Sequence, residues 1–253
     1  MNKMSKIKKI IALSACGVAG ACLIGLAVTG WQIGWGPFRF LFKGFEGDVQ
    51  AVEQRYDATA RKEEIVFYGA SNFRLWKEME EDLAGYKVQN HGFGGSTDRM
   101  LMQYADRLLY PYDPKIVVFQ TGSNDMANFP GTMEQKLAAT LADKQEMFAL
   151  FHEHLPEAKF IVLSGLLLPG RSQYTESTKE INRWLKSLCE ANEHMYFVNA
   201  EDLTFDGESY HTDLFIRDKI HLTHEGRLLW RDGYILPALE AVIKEYGYDD
   251  LRQ

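Results

Sequence analysis

Short apolar segments alternate with longer amphipathic segments along most of this 253-residue chain, and the alternation restricts the folds open to it. The apolar segments span residues 65–68, 87–90, 115–120, 160–164 and 195–199. The amphipathic segments have helical length and periodicity, and they span residues 72–83, 96–109, 132–155, 175–191 and 225–246, with another helix expected over 48–62. Such alternation predicts an α/β fold, a three-layer α/β/α sandwich around a five-stranded parallel sheet.

Glycine and polar residues follow the predicted strands, where a parallel sheet binds its ligands. The first strand leads into Gly-Ala-Ser at 69–71, the second into NHGFGGST at 90–97, and the third into TGSNDMAN at 121–128. A further polar segment, RDKIHLTHEG, occupies residues 217–226 near the C-terminus. These segments predict a functional site at the carboxyl edge of the sheet.

Ser71 admits two interpretations. It could cap a helix, with Gly69 supplying an unusual backbone angle, or it could be a nucleophile presented at the sheet edge. A serine nucleophile needs a base and a group that orients the base. His221 is the better base, because Asp218 lies three residues before it and can orient it, whereas no acid lies three residues before His224.

Ester hydrolysis also needs donors for the oxyanion that forms during the reaction. The backbone N–H groups of Ser71 and Gly95 and the side-chain amide of Asn124 are the candidates. Alternatively, Asn124 caps a helix and Gly95 only permits a tight turn. Arg171, which follows the fourth strand, could contact a polar group of a substrate, but it is expected to be a surface residue.

The segments GAS, NHGFGG, GSND and DKIH resemble, in order and placement, the four sequence blocks of the SGNH (GDSL-like) hydrolases. The resemblance runs from about residue 65 to 234 and looks most similar to the platelet-activating-factor acetylhydrolase-like branch. It implies a flavodoxin-like sandwich, a catalytic Ser71–His221–Asp218 triad, oxyanion donors at Ser71, Gly95 and Asn124, and ester hydrolysis without a metal or cofactor. Ala70 stands where the family usually has aspartate. Phe73 replaces the last glycine of Gly-x-Ser-x-Gly, which argues against an α/β-hydrolase fold.

Charge and cysteine content exclude other classes. The chain has 28 basic and 35 acidic residues, and four of the bases lie within the first nine residues. The acidic remainder lacks the clustered lysine and arginine that nucleic-acid binding requires. Three cysteines, two of them in the N-terminal apolar segment, imply no disulfide framework, and no zinc-binding spacing appears.

The N-terminus has the pattern of a membrane anchor. Residues 1–9 are basic and no charged residue occurs over 10–38, so we expect a cytoplasmic segment at 1–9 and a transmembrane helix at 10–35. Cleavage as a signal peptide at Ala19-Gly20-Ala21, which would release a secreted protein, and lipidation at Cys16 are the alternatives. A juxtamembrane linker and helix at 36–62 would then precede the hydrolase domain at 63–253.

These features predict a membrane-anchored, extracytoplasmic serine esterase that removes a short acyl group, such as acetyl, from a carbohydrate or lipid ester. An O-acyltransferase would use the same residues. The alternative from another class is a non-catalytic module that binds a glycan or a protein on the same fold, which the Ala70 substitution favours.

Overall fold

A parallel sheet forms the centre of the structural unit Asp48–Gln253, and the computed structural model of the protein describes residues 45–253. The strands of the sheet are β1 (Ile65–Gly69), β2 (Val88–Asn90), β3 (Ile116–Gln120), β4 (Lys159–Leu163) and β5 (Met195–Val198). They lie in the order β2-β1-β3-β4-β5, and every neighbouring pair is parallel. The predicted five-stranded parallel sheet is therefore confirmed, and each apolar segment supplies one strand.

Helices and short turns connect the strands. The helices are α1 (Glu46–Arg55), α2 (Ser71–Arg74), α3 (Met79–Asp82), α4 (Asp98–Leu108), α5 (Ser123–Asn128), α6 (Met133–His154), α7 (Thr175–Glu190), α8 (Glu201–Thr204), α9 (His224–Trp230) and α10 (Leu236–Tyr246). Thr132 caps α6, because its hydroxyl accepts from the N–H of Gln135, whose side chain accepts in return from the N–H of Thr132. This reciprocal capping explains why α6, the longest helix among the described residues, begins where it does.

Helices cover both faces of the sheet, as the predicted sandwich requires. Every residue of β1, β3 and β4 is buried, which a strand achieves only when both of its faces are covered. Phe67 of β1 packs in one core with Trp230 of α9. Tyr68 points to the other face, where its hydroxyl donates to the carbonyl of Leu101 in α4.

The prediction of one continuous helix over 72–83 is wrong, because the structure has two short helices there, α2 and α3. The side-chain amide of Asn90 donates to the carbonyls of Phe73 and Trp76 at 2.7 and 3.1 Å. These carbonyls therefore need no N–H donor from a following helical turn, and the side chain of Trp76 turns into the core.

The C-terminal helix predicted over 225–246 is interrupted by a π-helical turn at Arg231–Ile235 between α9 and α10. Pro237 lies in the first turn of α10 and has no N–H to donate, so the helix cannot continue its ordinary hydrogen bonding through this point. The helix predicted over 48–62 also ends early, at Arg55. Beyond it, the Asp57 carboxylate accepts from the N–H and hydroxyl of Thr59 and forms a turn.

The predicted basic segment at 1–9, the predicted transmembrane segment at 10–35 and the first part of the 36–62 linker lie outside the described residues. From residue 45 to the C-terminus, no helix combines the length and the apolar character needed to cross a membrane.

Candidate active site

Ser71 lies at the carboxyl edge of the sheet, where β1 passes into α2. It is the first residue of that helix, directly after the strand-ending Gly69 and Ala70. A Cβ atom at Gly69 would lie 2.4 Å from the carbonyl oxygen of Gln120, at the end of β3. Gly69 is therefore required by the close approach of the neighbouring strand and not, as one interpretation of the sequence held, by an unusual backbone angle.

His221 and Asp218 lie beside Ser71 in a short loop before α9. The Nε2 atom of His221 is 2.8 Å from the Ser71 Oγ, and its Nδ1 atom is 2.6 Å from Oδ2 of Asp218. Lys219 has a φ of 57°, a left-handed conformation that tightens the turn between the acid and the histidine. The structure thus joins the three residues selected from the sequence in one chain of hydrogen bonds.

The Asp218 carboxylate is held in its ionised form. Burial opposes ionisation, but hydrogen bonds from the His221 side chain and from the N–H groups of Ile220 and His221 outweigh it, so the pKa of Asp218 is lower than usual. An ionised carboxylate accepts the Nδ1–H of His221, which leaves Nε2 free to accept the serine proton. The arrangement can therefore activate a serine hydroxyl.

His224, the alternative base, has a different partner. Its Nε2 atom lies 3.0 Å from Oδ2 of Asp82, and its side chain is 49% exposed. The structure therefore pairs Ser71 with His221 and leaves His224 at the surface as the first residue of α9.

The predicted oxyanion donors come from the loops after β2 and β3. Asn124 is the second residue of α5, and its Nδ2 atom donates to the Ser96 carbonyl at 3.0 Å. Gly95, next to Ser96, has a φ of 82°, which a residue with a side chain rarely adopts. Asn124 thus holds the loop that carries Gly95. Their roles as oxyanion donors remain predictions.

Arg171 was expected at the surface, and that expectation is wrong. Its side chain is half-buried, and its Nη1 atom donates to the Ser123 hydroxyl at 2.8 Å and to Oδ1 of Asn124 at 3.1 Å. The only feature of the sequence that indicated a role in the site was the position of Arg171 after a strand, at the carboxyl edge of the sheet.

Ala70 contributes no polar group to the site. It is 8% exposed and precedes α2 as its N-cap, but no side-chain hydrogen bond caps that helix. The substitution thus removes a possible cap at α2 and leaves the contacts of Ser71 with His221 in place. Over residues 45–253, no cluster of three or more metal-ligating side chains is present.

A buried group of charged side chains includes Asp125, the residue after Asn124. Lys144 of α6 and Asp98 of α4 form an ion pair at 3.0 Å, and both side chains have no exposed surface. Thr121, after β3, donates to Asp98, and Asp125 accepts from the N–H of Asp98. Burial and the adjacent charge of Asp98 raise the pKa of Asp125 to about 8, although Lys144 acts in the opposite direction. The group connects the two loops that supply the predicted oxyanion donors.

Replacement of Lys144 by methionine is expected to destabilise the fold by about 3–5 kcal/mol, because Asp98 would keep a buried charge without its partner. Chemical denaturation of the full-length protein in detergent would measure this loss. Lys144 lowers the pKa of Asp125 in the folded protein, so its removal should raise that pKa, and stability should then decrease further as the pH rises. We therefore expect a smaller deficit at about pH 5 than at about pH 9.

The double variant Lys144→Met/Asp98→Asn should recover much of the lost stability, because it removes the unpaired charge. Lys186→Met, at a side chain that is 61% exposed on α7, is the matched control and should leave the denaturation midpoint almost unchanged. A deficit that is equal at both pH values and persists in the double variant would show that the loss comes from packing alone.

The chain also matches known proteins in sequence and in fold. Residues 60–228 match the GDSL-like Lipase/Acylhydrolase family. No curated protein matches the chain.

Three solved structures illustrate the shared fold. A GDSL-like lipase from Bacteroides thetaiotaomicron aligns with a TM-score of 0.59 at 20% identity, over 79% of this chain and 97% of that one. A Streptococcus pneumonia protein whose name refers to platelet activating factor aligns with a TM-score of 0.63 at 20% identity, over 82% and 94%. The C-terminal catalytic domain of Streptococcus pneumoniae peptidoglycan O-acetyltransferase A aligns with a TM-score of 0.51 at 15% identity, over 72% and 96%.

Proposed function

Because the chain belongs to the GDSL-like lipase/acylhydrolase family and is a carboxylic ester hydrolase, we propose that it removes a short acyl group, in the simplest case acetyl, from an oxygen ester. Ser71 is the nucleophile, His221 the base and Asp218 the residue that orients the base. The observation that carries the proposal is the hydrogen-bonded chain from Asp218 through His221 to Ser71, at 2.6 and 2.8 Å.

Acyl transfer would proceed in two steps. The Ser71 Oγ attacks the ester carbonyl while His221 takes its proton, and the tetrahedral oxyanion accepts from the Asn124 amide and from the N–H groups of Ser71 and Gly95. His221 then gives the proton to the leaving alcohol as the acyl-enzyme forms. Water, activated by the same histidine, attacks the acyl-enzyme and releases the acid and Ser71.

A carbohydrate or a lipid is the substrate class that this proposal favours. The apolar segment 10–35, preceded by the lysines of residues 1–9, supports a single-pass anchor with the catalytic domain outside the cytoplasm, or a secreted protein if that segment is cleaved. Such a position would give the enzyme access to acetylated glycans and to lysophospholipids. An extracytoplasmic position therefore fits either class of ester.

Transfer to a sugar hydroxyl is the second candidate, and the fold shared with peptidoglycan O-acetyltransferase A favours it. The same triad would form the acyl-enzyme, and a glycan in place of water would accept the acyl group. Products formed with and without an added oligosaccharide acceptor distinguish the two reactions: free acid alone indicates hydrolysis, whereas an acylated oligosaccharide indicates transfer.

Labelling with a fluorophosphonate tests whether Ser71 is activated. Full-length protein in detergent should gain the mass of one adduct. Ser71→Ala should gain none, because a serine without an activating base reacts far too slowly with a fluorophosphonate. Ser187→Ala, at an exposed serine on α7, is the matched control and should label like the wild type. A folded wild-type protein that forms no adduct would instead support the non-catalytic glycan- or protein-binding module.

A further inference from the structure

The turn after β4 contacts both parts of the proposed catalytic machinery. This turn, Pro169–Tyr174, is 3₁₀-helical except for a kink at Arg171, whose backbone is not helical (φ −136°, ψ 33°). The N–H of Gly170 donates to the carbonyl of Lys219, inside the loop that holds Asp218 and His221, at 2.8 Å. The next residue, Arg171, donates to Asn124 on the oxyanion side. Two consecutive residues therefore connect the proposed base to the proposed oxyanion donor.

Gly170 allows the turn to lie directly against the loop of the base. A Cβ atom at this position would be 2.6 Å from the carbonyl oxygen of Asp218, which is closer than such atoms approach. The backbone of the turn is therefore fixed relative to Asp218, and the position from which the Arg171 side chain extends is fixed with it.

The contacts of Asn124 specify one orientation of its amide. Its Oδ1 atom accepts from Arg171, and its Nδ2 atom donates to the Ser96 carbonyl. A flipped amide would place NH₂ against the guanidinium and oxygen against a carbonyl, so that donor would meet donor and acceptor would meet acceptor. In the observed orientation one Nδ2 hydrogen engages Ser96, and the second has no acceptor among residues 45–253.

Arg171 also brings a positive charge close to this amide. Asp218 and Tyr174 are the ionisable groups that act on its charge, yet within residues 45–253 no carboxylate forms an ion pair with it. Burial lowers the pKa of Arg171, but the ordinary pKa of arginine is so high that the guanidinium stays charged around neutral pH. A cation at Oδ1 polarises the amide and strengthens its N–H as a donor.

We propose that Arg171 is a positioning residue for the oxyanion site, which holds the Asn124 amide with its N–H toward the substrate and polarises it. This inference rests on the proposed function, because it assigns Asn124 to the oxyanion. It predicts that Arg171 acts on the transition state through Asn124 and contributes little to binding of the ground-state ester.

Steady-state kinetics on 4-nitrophenyl acetate test the inference. Arg171→Ala should lower kcat by on the order of 10²-fold, because a displaced amide no longer meets the oxyanion, while KM stays near the wild-type value. Asn124→Ala should lower kcat by about 10²–10³-fold. Since the arginine acts through the asparagine, adding Arg171→Ala to Asn124→Ala should cause almost no further loss.

Two variants separate charge from shape. Arg171→Lys keeps the charge and should retain more activity than Arg171→Gln, which keeps a donor without charge. Guanidinium ion, at a concentration too low to unfold the protein, should restore part of the activity of Arg171→Ala but none of the activity of Arg171→Ala/Asn124→Ala. Arg183→Ala, at an exposed arginine on α7, should behave like the wild type and should not respond to guanidinium.

Three results would overturn the inference. One is a loss of kcat in Arg171→Ala/Asn124→Ala equal to the product of the two single losses. The second is a change in KM alone in Arg171→Ala, and the third is a wild-type kcat in Arg171→Ala. Thermal denaturation of each variant excludes a general loss of folding. Ser71→Ala separates the two proposals: if it keeps full activity, the proposed function itself fails, whereas an inactive Ser71→Ala beside a fully active Arg171→Ala contradicts only the role of Arg171.

Discussion

Replacement of His221 by alanine is expected to lower kcat on a short-chain ester by on the order of 10⁶-fold. The Ser71 hydroxyl, 2.8 Å from Nε2 of His221, would lose the only base in hydrogen-bonding distance of it among the described residues. No group would then take the serine proton or return it to the leaving alcohol. Stopped assays with high enzyme concentration would measure the residual rate.

Some catalysis should survive in His221→Ala, because the oxyanion donors and substrate binding do not depend on the imidazole. KM should therefore change much less than kcat. The loss should also not add to that of Ser71→Ala, since the two residues act as one unit.

His224→Ala is the matched control for this variant, since it removes a histidine three residues away that pairs with Asp82. Its kcat should stay close to that of the wild type. A large loss in His224→Ala together with a small loss in His221→Ala would reassign the base to His224 and would contradict the proposed triad.

The sheet could be predicted because each of its strands corresponds to a local pattern in the sequence. Strands buried on both faces need unbroken apolar segments, as in 116–119 and 160–163, and only an α/β sheet regularly combines these with amphipathic helices. The polar residues at the strand ends could be predicted for the same reason, since parallel strands bring their carboxyl ends to one edge.

Contacts between distant segments explain what the sequence did not reveal. The Asn90 amide ends α2 by donating to carbonyls that lie 14 and 17 residues earlier. The spacing of apolar residues within 72–83 gives no indication of that contact. Lys144 has the residue type of a solvated helix surface, but it points inward because Asp98 of another helix is there to pair with it. Such pairings depend on how helices pack, so a local pattern cannot specify them.

Arg171 is a similar case at the candidate site. Its partner Asn124 lies 47 residues away, and the guanidinium reaches it only because the turn at Gly170 is fixed against the Asp218 loop. The positions of Ser71, His221 and Asp218 could be predicted from the sequence because each lies within a recognisable block. A supporting residue outside the blocks carries no such signal.

Replacement of Asp218 by asparagine is expected to lower kcat by about 10⁴-fold while the fold is kept. In the native loop, Oδ1 of Asp218 accepts from the N–H groups of Ile220 and His221, and the asparagine carbonyl can keep both contacts. The new NH₂ group would then face Nδ1 of His221, where the carboxylate oxygen was at 2.6 Å. A donor at that place requires Nδ1 to accept, which moves the imidazole proton to Nε2.

An imidazole with its proton on Nε2 would donate to the Ser71 hydroxyl and could not remove its proton, so the loss should appear in kcat, with KM and the melting temperature almost unchanged. Asp213→Asn, at an exposed acid in the neighbouring turn Thr212–Leu214, is the matched control and should keep the wild-type kcat. Asp218→Ala should lose the backbone contacts as well and should therefore be less stable than Asp218→Asn. A wild-type rate in Asp218→Asn would mean that His221 needs no ionised partner at this position, and the base would have to be oriented by the rest of its loop.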